Sequence, residues 1–358
     1  MKKYLIAVAV FLLVVVTSAL CMTSCDPAPP ADTTAETTAA PTEAPTEEPT
    51  EEAPTEAPTE EPTEEETTME ETTPEVTTEE ITTEEVTTEE VTEIPEGGED
   101  HGIVRDGTPK KYITIRMDDG ITQDGRMMEI MRKYGVDCCT FYLNSGLYGA
   151  NWAWVGESSG RPDVTHIRYT RAELQSGIYD GFDVECHTVN HPSLKNYTEK
   201  QVTNEVKRDA MNLQKLFGYE PIGLAWPGGD TEWNEQNIIT ILETTNVRYG
   251  SCTTRNTQMG LSKFSLPQYF MTWYPTCAFN DYDTMNLLNE FLAAECTEDM
   301  LFYVWGHGYE LDLANSWGRF DLFIKTIAEA AAADDSIVLV TNAEFYQLFK
   351  DEIPAWKE

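Results

Sequence analysis

Two adjacent carboxylates, a pair of histidines four residues apart and a further histidine each stand at the end of a strand-like run in this sequence. Asp118 and Asp119 follow YITIRM (112–117), and His187 and His191 follow FDVEC (182–186). A Pro227-Gly228-Gly229 turn follows IGLAW (222–226), and His307 follows LFYVW (301–305). On a helix, His-x-x-x-His puts two imidazoles on one face, a common spacing for metal ligands. With one carboxylate added the donors form a His₂Asp set, which suits zinc or a similar divalent ion with a position left open for water. Two ionised carboxylates side by side would repel each other. A cation relieves that repulsion, leaving one aspartate as ligand and the other free to take a proton from water. Of the five histidines, His101 and His166 stand outside this pattern and are expected to take no part in the chemistry.

These residues need a frame that brings several strand ends to one rim. Strand-like runs at YITIRM, CTFYL (139–143), FDVEC, IGLAW, LFYVW and SIVLVT (336–341) are short and rich in β-branched and aromatic residues. Between them lie stretches with helical spacing of apolar residues. They are 124–135, 198–218 with Thr198 as N-cap and Gly218 as stop, 283–296 and 317–333. This alternation predicts an α/β fold with a largely parallel sheet, open or closed into a barrel. In a parallel barrel, reactive groups gather where strands pass into loops.

On these motifs, residues 112–343 resemble the polysaccharide deacetylase domain, also called the NodB homology domain or carbohydrate esterase family 4. The family's Thr-Phe-Asp-Asp-Gly motif is matched by Arg116-Met117-Asp118-Asp119-Gly120. Its His-Ser/Thr-x-x-His motif is matched by His187-Thr188-Val189-Asn190-His191, and its apolar strand ending in His by Leu301 to His307. The resemblance implies a distorted (β/α) barrel, with Asp119, His187 and His191 as ligands of a divalent metal, zinc by expectation. It implies Asp118 as general base, His307 as general acid and the Gly228 N–H as oxyanion donor. The implied activity is removal of acetyl groups from a carbohydrate. N-acetyl groups of peptidoglycan- or chitin-like glycans are the first expectation and O-acetyl groups of xylan the alternative. A metal-retaining carbohydrate-binding protein without turnover is the third reading. In the third motif the arginine that orients the catalytic aspartate in the family is replaced by Ala225. The fourth motif is not matched, which leaves Glu310 and Asp312 as the nearby acids available to His307. Trp226, beside the glycine turn, and Trp273, in a Pro-flanked loop, are the aromatic residues expected to contact sugar.

The rest of the chain sets location and excludes some partners. Lys2 and Lys3 precede an apolar run from Tyr4 to Val16, and Cys21 and Cys25 follow. Residues 1–25 therefore read as an export signal of lipoprotein type, attaching the protein to a membrane surface through one of those cysteines. Residues 26–100 repeat Thr, Glu and Pro and carry 27 acidic residues with no Lys or Arg, so they read as a disordered, extended linker. The whole chain of 358 residues has a formal charge of −39. Outside the first 100 residues and the two signal lysines it holds 36 acidic against 22 basic residues, or −14, which argues against nucleic acid as a partner. The third segment, 101–358, reads as one catalytic domain, expected to be monomeric. Its six cysteines form no CxxC pair and read as buried free thiols.

Overall fold

A strand that alternates Tyr112, Thr114, Arg116, Asp118 on one face with Ile113, Ile115, Met117 on the other must sit between two different environments. It does so as β1 (Lys111–Asp118), the centre of an all-parallel eight-stranded sheet. The computed structural model describes residues 102–357; the expected export signal and linker, and His101, lie outside the described residues. Ile113, Ile115 and Met117 pack into the larger apolar core, while Tyr112 belongs to a second core inside the curled sheet.

The chain runs from β1 through α1 (Gln123–Tyr134), β2 (Cys139–Leu143), α2 (Trp154–Ser158) and α3 (Arg171–Leu174) to β3 (Asp183–Cys186). Next come α4 (Glu199–Phe217), β4 (Gly223–Ala225), α5 (Glu235–Thr244), β5 (Tyr249–Ser251) and β6 (Cys277–Ala278). It continues with α6 (Thr284–Ala293), β7 (Met300–Gly306), α7 (Gly308–Leu313), α8 (Trp317–Ala333), β8 (Ile337–Leu339) and α9 (Asn342–Phe349). The strand order is β5-β4-β3-β2-β1-β7-β6. One edge of β1 pairs with β7 over Lys111–Met117, and the other edge is shared: β8 takes Lys111–Ile113 and β2 takes Ile115–Asp118. The open side is spanned by the segment after β5. Trp273 bridges Ser251 in parallel and Cys277 joins β7, so the two ends of the sheet are drawn towards each other. This is the distorted (β/α) barrel that the motifs implied.

The sequence reading located six strands and four helices of this frame; β5 and β6, three and two residues long, were not among them. Three of the four expected helices end where the sequence says they should, while α6 stops at Ala293, short of the expected 296. Thr198 makes a capping box with Gln201, and Gly218 and Gly135 terminate α4 and α1 with φ of 86° and 68°, a backbone region that favours glycine. Among the described residues all six cysteines are free thiols, five of them buried, and no helix is long and apolar enough to cross a membrane.

Candidate active site

The turn after β1 is where the chain leaves regular geometry. Asp119 has φ 81° and Gly120 φ 64°; a Cβ on Gly120 would lie 2.6 Å from Leu143 Cγ, so glycine is required there. A positive φ at a non-glycine residue costs on the order of 1–3 kcal/mol and persists where surrounding contacts hold it. Thr188 (φ 66°) and His191 (φ 54°) share the feature. Three of the four strained non-glycine residues among those described thus belong to the two loops that carry Asp119, His187 and His191.

The strain brings these side chains together. Asp119 Oδ1 lies 3.8 Å from both His187 Nε2 and His191 Nε2, and one donor atom from each of the three residues falls within 4.8 Å of the others. His187 Nδ1 is 2.8 Å from the carbonyl of Ala225, which fixes the proton on Nδ1 and leaves Nε2 to the cluster. That Nε2 is buried without a hydrogen-bond partner. Ligand atoms at bonds of about 2.0–2.2 Å from a tetrahedral ion sit roughly 3.4 Å apart, so the two Asp119–imidazole distances are a few tenths of an ångström above that spacing. Burial pushes His187 down to about 3 and lowers His191 as well, which keeps the imidazoles in the neutral form that can ligate. Burial opposes the charge on Asp119, but the hydrogen bond from His166 and the charges of His307 and Arg168 hold it well below the usual carboxylate range.

Asp118 points into the barrel beside Arg116, as the strand period requires. Arg116 Nε donates to Asp118 Oδ1 at 2.7 Å, Nη2 donates to Oδ2, and Nη1 donates to the Cys252 carbonyl at 2.7 Å. The guanidinium is fully buried and lies over the rings of Trp305 and Tyr142. Burial would raise the Asp118 carboxyl, but the charge and hydrogen bonds of Arg116 beside it keep it below its ordinary value. Ala225 is also buried inside the barrel. The arginine missing from position 225 therefore has a counterpart on β1, two residues before the aspartate it holds.

His307 caps α7, and its Nε2 is 3.8 Å from Asp119 Oδ2. Its Nδ1 is 3.2 Å from Glu310 Oε1, while Glu310 Oε2 accepts from the His307 backbone N–H. Burial would lower the imidazole, but Glu310 pushes it up to about 9, so it carries a proton at neutral pH. Glu310 is thus the acid beside His307. Asp312 instead accepts from Trp317 Nε1 at 2.8 Å and Gln123 Nε2 at 3.0 Å.

Asp118, Asp119, His187, His191 and His307 open onto one cavity of about 470 Å³. Gly228 lines it at φ 74°. Trp226 lines it too, though 1% exposed and stacked on Trp233 at 4.8 Å. Trp273 does not reach it: this ring is wholly buried inside the barrel, 5.0 Å from both Tyr303 and Phe345. The expected sugar contact at Trp273 is therefore wrong, because the residue faces the inner core and bridges the sheet ends. The aromatic wall consists of Trp152, Trp154, Trp305 and Tyr309 instead. Trp305 and Tyr309 flank His307 by two residues, a signal present in the sequence; Trp152 and Trp154 lie in the long β2–β3 connection and carry none. The same connection supplies His166, 1% exposed with Nε2 2.8 Å from Asp119 Oδ2, so His166 is part of the site and not a bystander.

Residues 105–250 match the family model described as polysaccharide deacetylase. The resemblance to polysaccharide deacetylases carried by the motifs is borne out over this region. The match covers Asp118, Asp119, His187, His191 and Gly228 and stops before His307. No curated protein sequence matches the chain. Solved structures that are similar include a deacetylase from Streptococcus pyogenes in complex with acetate (19% identity, 40% of this chain and 56% of that chain, TM-score 0.31). The chain thus spans just over half of that protein. Another is the Xyl-CE4 domain of a multidomain xylanase from the hindgut metagenome of Trinervitermes trinervoides (14%, 69% and 95%, TM-score 0.40). A third is a family 4 acetyl xylan esterase from Clostridium thermocellum in complex with a cobalt ion (14%, 68% and 93%, TM-score 0.40).

Proposed function

We propose that the domain is a metal-dependent hydrolase that removes acetyl groups from a carbohydrate, with N-deacetylation of amino-sugar polymers such as peptidoglycan or chitin-like glycans as its reaction. One observation carries the reading. A carboxylate held ionised by Arg116 and an imidazole held protonated by Glu310 meet at the same Asp119–His187–His191 cluster, at the base of an aromatic-lined cavity. An acyl transfer needs a base for the attacking water, an acid for the leaving group and a stabiliser for the oxyanion.

Asp119, His187 and His191 would hold a divalent ion, zinc by preference, whose chemistry here is to polarise the acyl carbonyl and ease deprotonation of water. Asp118, ionised at neutral pH, accepts the proton from the attacking water. The backbone N–H of Gly228, on a turn that only glycine adopts without strain, helps hold the oxyanion. His307 then gives its proton to the departing amine, and Glu310 steadies the imidazolium beforehand. Trp154 and Trp305 offer flat faces to sugar rings.

Ala225 gives a reason to consider a binding protein without turnover, while the two-point contact of Arg116 with Asp118 favours the catalytic reading. Acetate release from N-acetylglucosamine oligomers, compared with acetylated xylan in the presence of zinc, tests the proposal. Release from the oligomers supports N-deacetylation, release only from xylan supports the O-acetyl esterase reading, and release from neither supports the non-catalytic one.

The proposal extends to location: export and lipid attachment at Cys21 or Cys25 would hold the domain at the cell surface on an acidic stalk. Intact-mass analysis of the mature protein would show the added lipid, and a freely secreted product starting beyond Cys25 would refute it.

A further inference from the structure

Two residues that no motif contains close around the aspartate of the cluster. Residues 166–169 run beside the turn after β1: Arg168 bridges Ile121, Tyr169 N donates to the Gly120 carbonyl at 3.0 Å, and Thr122 N donates to the Ile167 carbonyl at 2.8 Å. In extended chain, residues i and i+2 project to the same side. His166 and Arg168 therefore point together at Asp119 while Ile167 points away. His166 Nε2 lies 2.8 Å from Asp119 Oδ2, and Arg168 Nη2 donates to Oδ1 at 2.7 Å. A carboxylate only accepts hydrogen bonds, so His166 carries its proton on Nε2. Both side chains are at least 98% buried and are held from behind by Trp152. Its ring stacks on His166 at 5.3 Å and 13° and carries the Arg168 guanidinium at 3.8 Å.

With each oxygen engaged by a separate donor, the Asp119 carboxylate cannot turn about its last torsion. Its Oδ1 stays on the side of His187 Nε2 and His191 Nε2. We propose that His166 and Arg168 are positioning residues for Asp119, fixing its carboxylate so that the ion site is formed before any ion enters. The proposal rests on Asp119, His187 and His191 being metal ligands. Partners that orient a ligand in this way typically contribute about 10–100-fold to metal affinity.

The sign of the Arg168 effect separates positioning from charge. Removing a cation beside an ion site would by itself tighten binding of a divalent ion. Positioning predicts the reverse. The test strips the full-length protein of metal and measures the zinc dissociation constant by competition with a chelating indicator, with circular dichroism and melting to verify the fold. We expect His166→Leu and Arg168→Met to weaken zinc binding by about 10–100-fold. His166→Gln, whose amide can still donate to Oδ2, should stay near the parent. Folded His166→Leu and Arg168→Met variants with parental or tighter affinity would overturn the proposal. If either variant loses its native melting transition, Arg168→Lys carries the test: it keeps the charge without the planar fork, so weakened binding supports positioning and parental affinity overturns it. A parent that binds no zinc would refute the metal reading and this inference together; a parent that binds with unaffected variants would refute the inference alone.

Discussion

Arg116 and Asp118, two residues apart on β1, form a two-point ion pair inside the barrel, with Nε 2.7 Å from Oδ1 and Nη2 bonded to Oδ2. The pair exists because a strand returns to the same face every second residue, and here that face is the barrel interior. Arg116→Lys should keep the charge and lose the fork. We expect it to fold and to lose about 10-fold or more in kcat, the range of a mispositioned base. Asp118→Asn should abolish acetate release while zinc content, read by mass spectrometry of metals, stays near one per chain. Loss of zinc in that variant would mean that the two aspartates have been given each other's roles.

Glu310 and His307 make the second supporting pair, within the first turn of α7. His307→Asn should lower kcat by about 10²–10⁴, the usual contribution of a general acid. Glu310→Gln keeps an acceptor but not the charge, so a smaller loss in kcat with little change in KM is expected from steady-state kinetics. An unchanged kcat would remove Glu310 from the mechanism.

Trp154 and Trp273 should behave oppositely. Trp154 is 58% exposed and lines the cavity, so Trp154→Ala should raise KM for a glycan by roughly 3–10-fold, matching a stacking contact of about 0.5–1.5 kcal/mol, and leave the melting temperature almost unchanged. Trp273 is fully buried among aromatic rings, so Trp273→Ala should cost about 3–5 kcal/mol of stability. Parallel melting curves and Michaelis constants check both.

Asp124, on the first turn of α1, gives a pH-dependent prediction. It is buried, Tyr179 donates to its Oδ2 at 2.7 Å, and its Oδ1 has no hydrogen-bond partner. Burial raises this carboxyl well above its ordinary value, outweighing the Tyr179 hydrogen bond. A raised acid favours the folded state at low pH, and that contribution is lost as pH rises from the unfolded value of about 3.9 towards the folded one. Asp124→Asn should therefore stabilise the protein at pH 7, read as a higher Tm than the parent's. The gain should shrink towards pH 4 and vanish below about pH 3, where the wild-type carboxyl is protonated in both states. A gain that is constant between pH 4 and pH 7 would contradict this.

Local chemistry made much of this legible in the sequence. Strand-end placement marked Asp118, Asp119, His187, His191, Gly228 and His307, because parallel strands deliver their C-terminal ends to one rim and every residue concerned lies within a few positions of a readable strand. Alternation along 112–118 also held the Arg116–Asp118 pair, since i and i+2 on a strand need no distant partner to share a face. The family resemblance separated Asp118 from Asp119 by role; the tertiary structure supplied the left-handed backbone at Asp119, held by contacts across the fold, that turns one towards the barrel and the other towards the histidines. It alone sent Trp273 into the core and brought Trp152, His166 and Arg168 to Asp119 from a loop about fifty residues further along the chain. Contacts of that kind depend on how a long connection folds back over the sheet, and no short-range spacing records it.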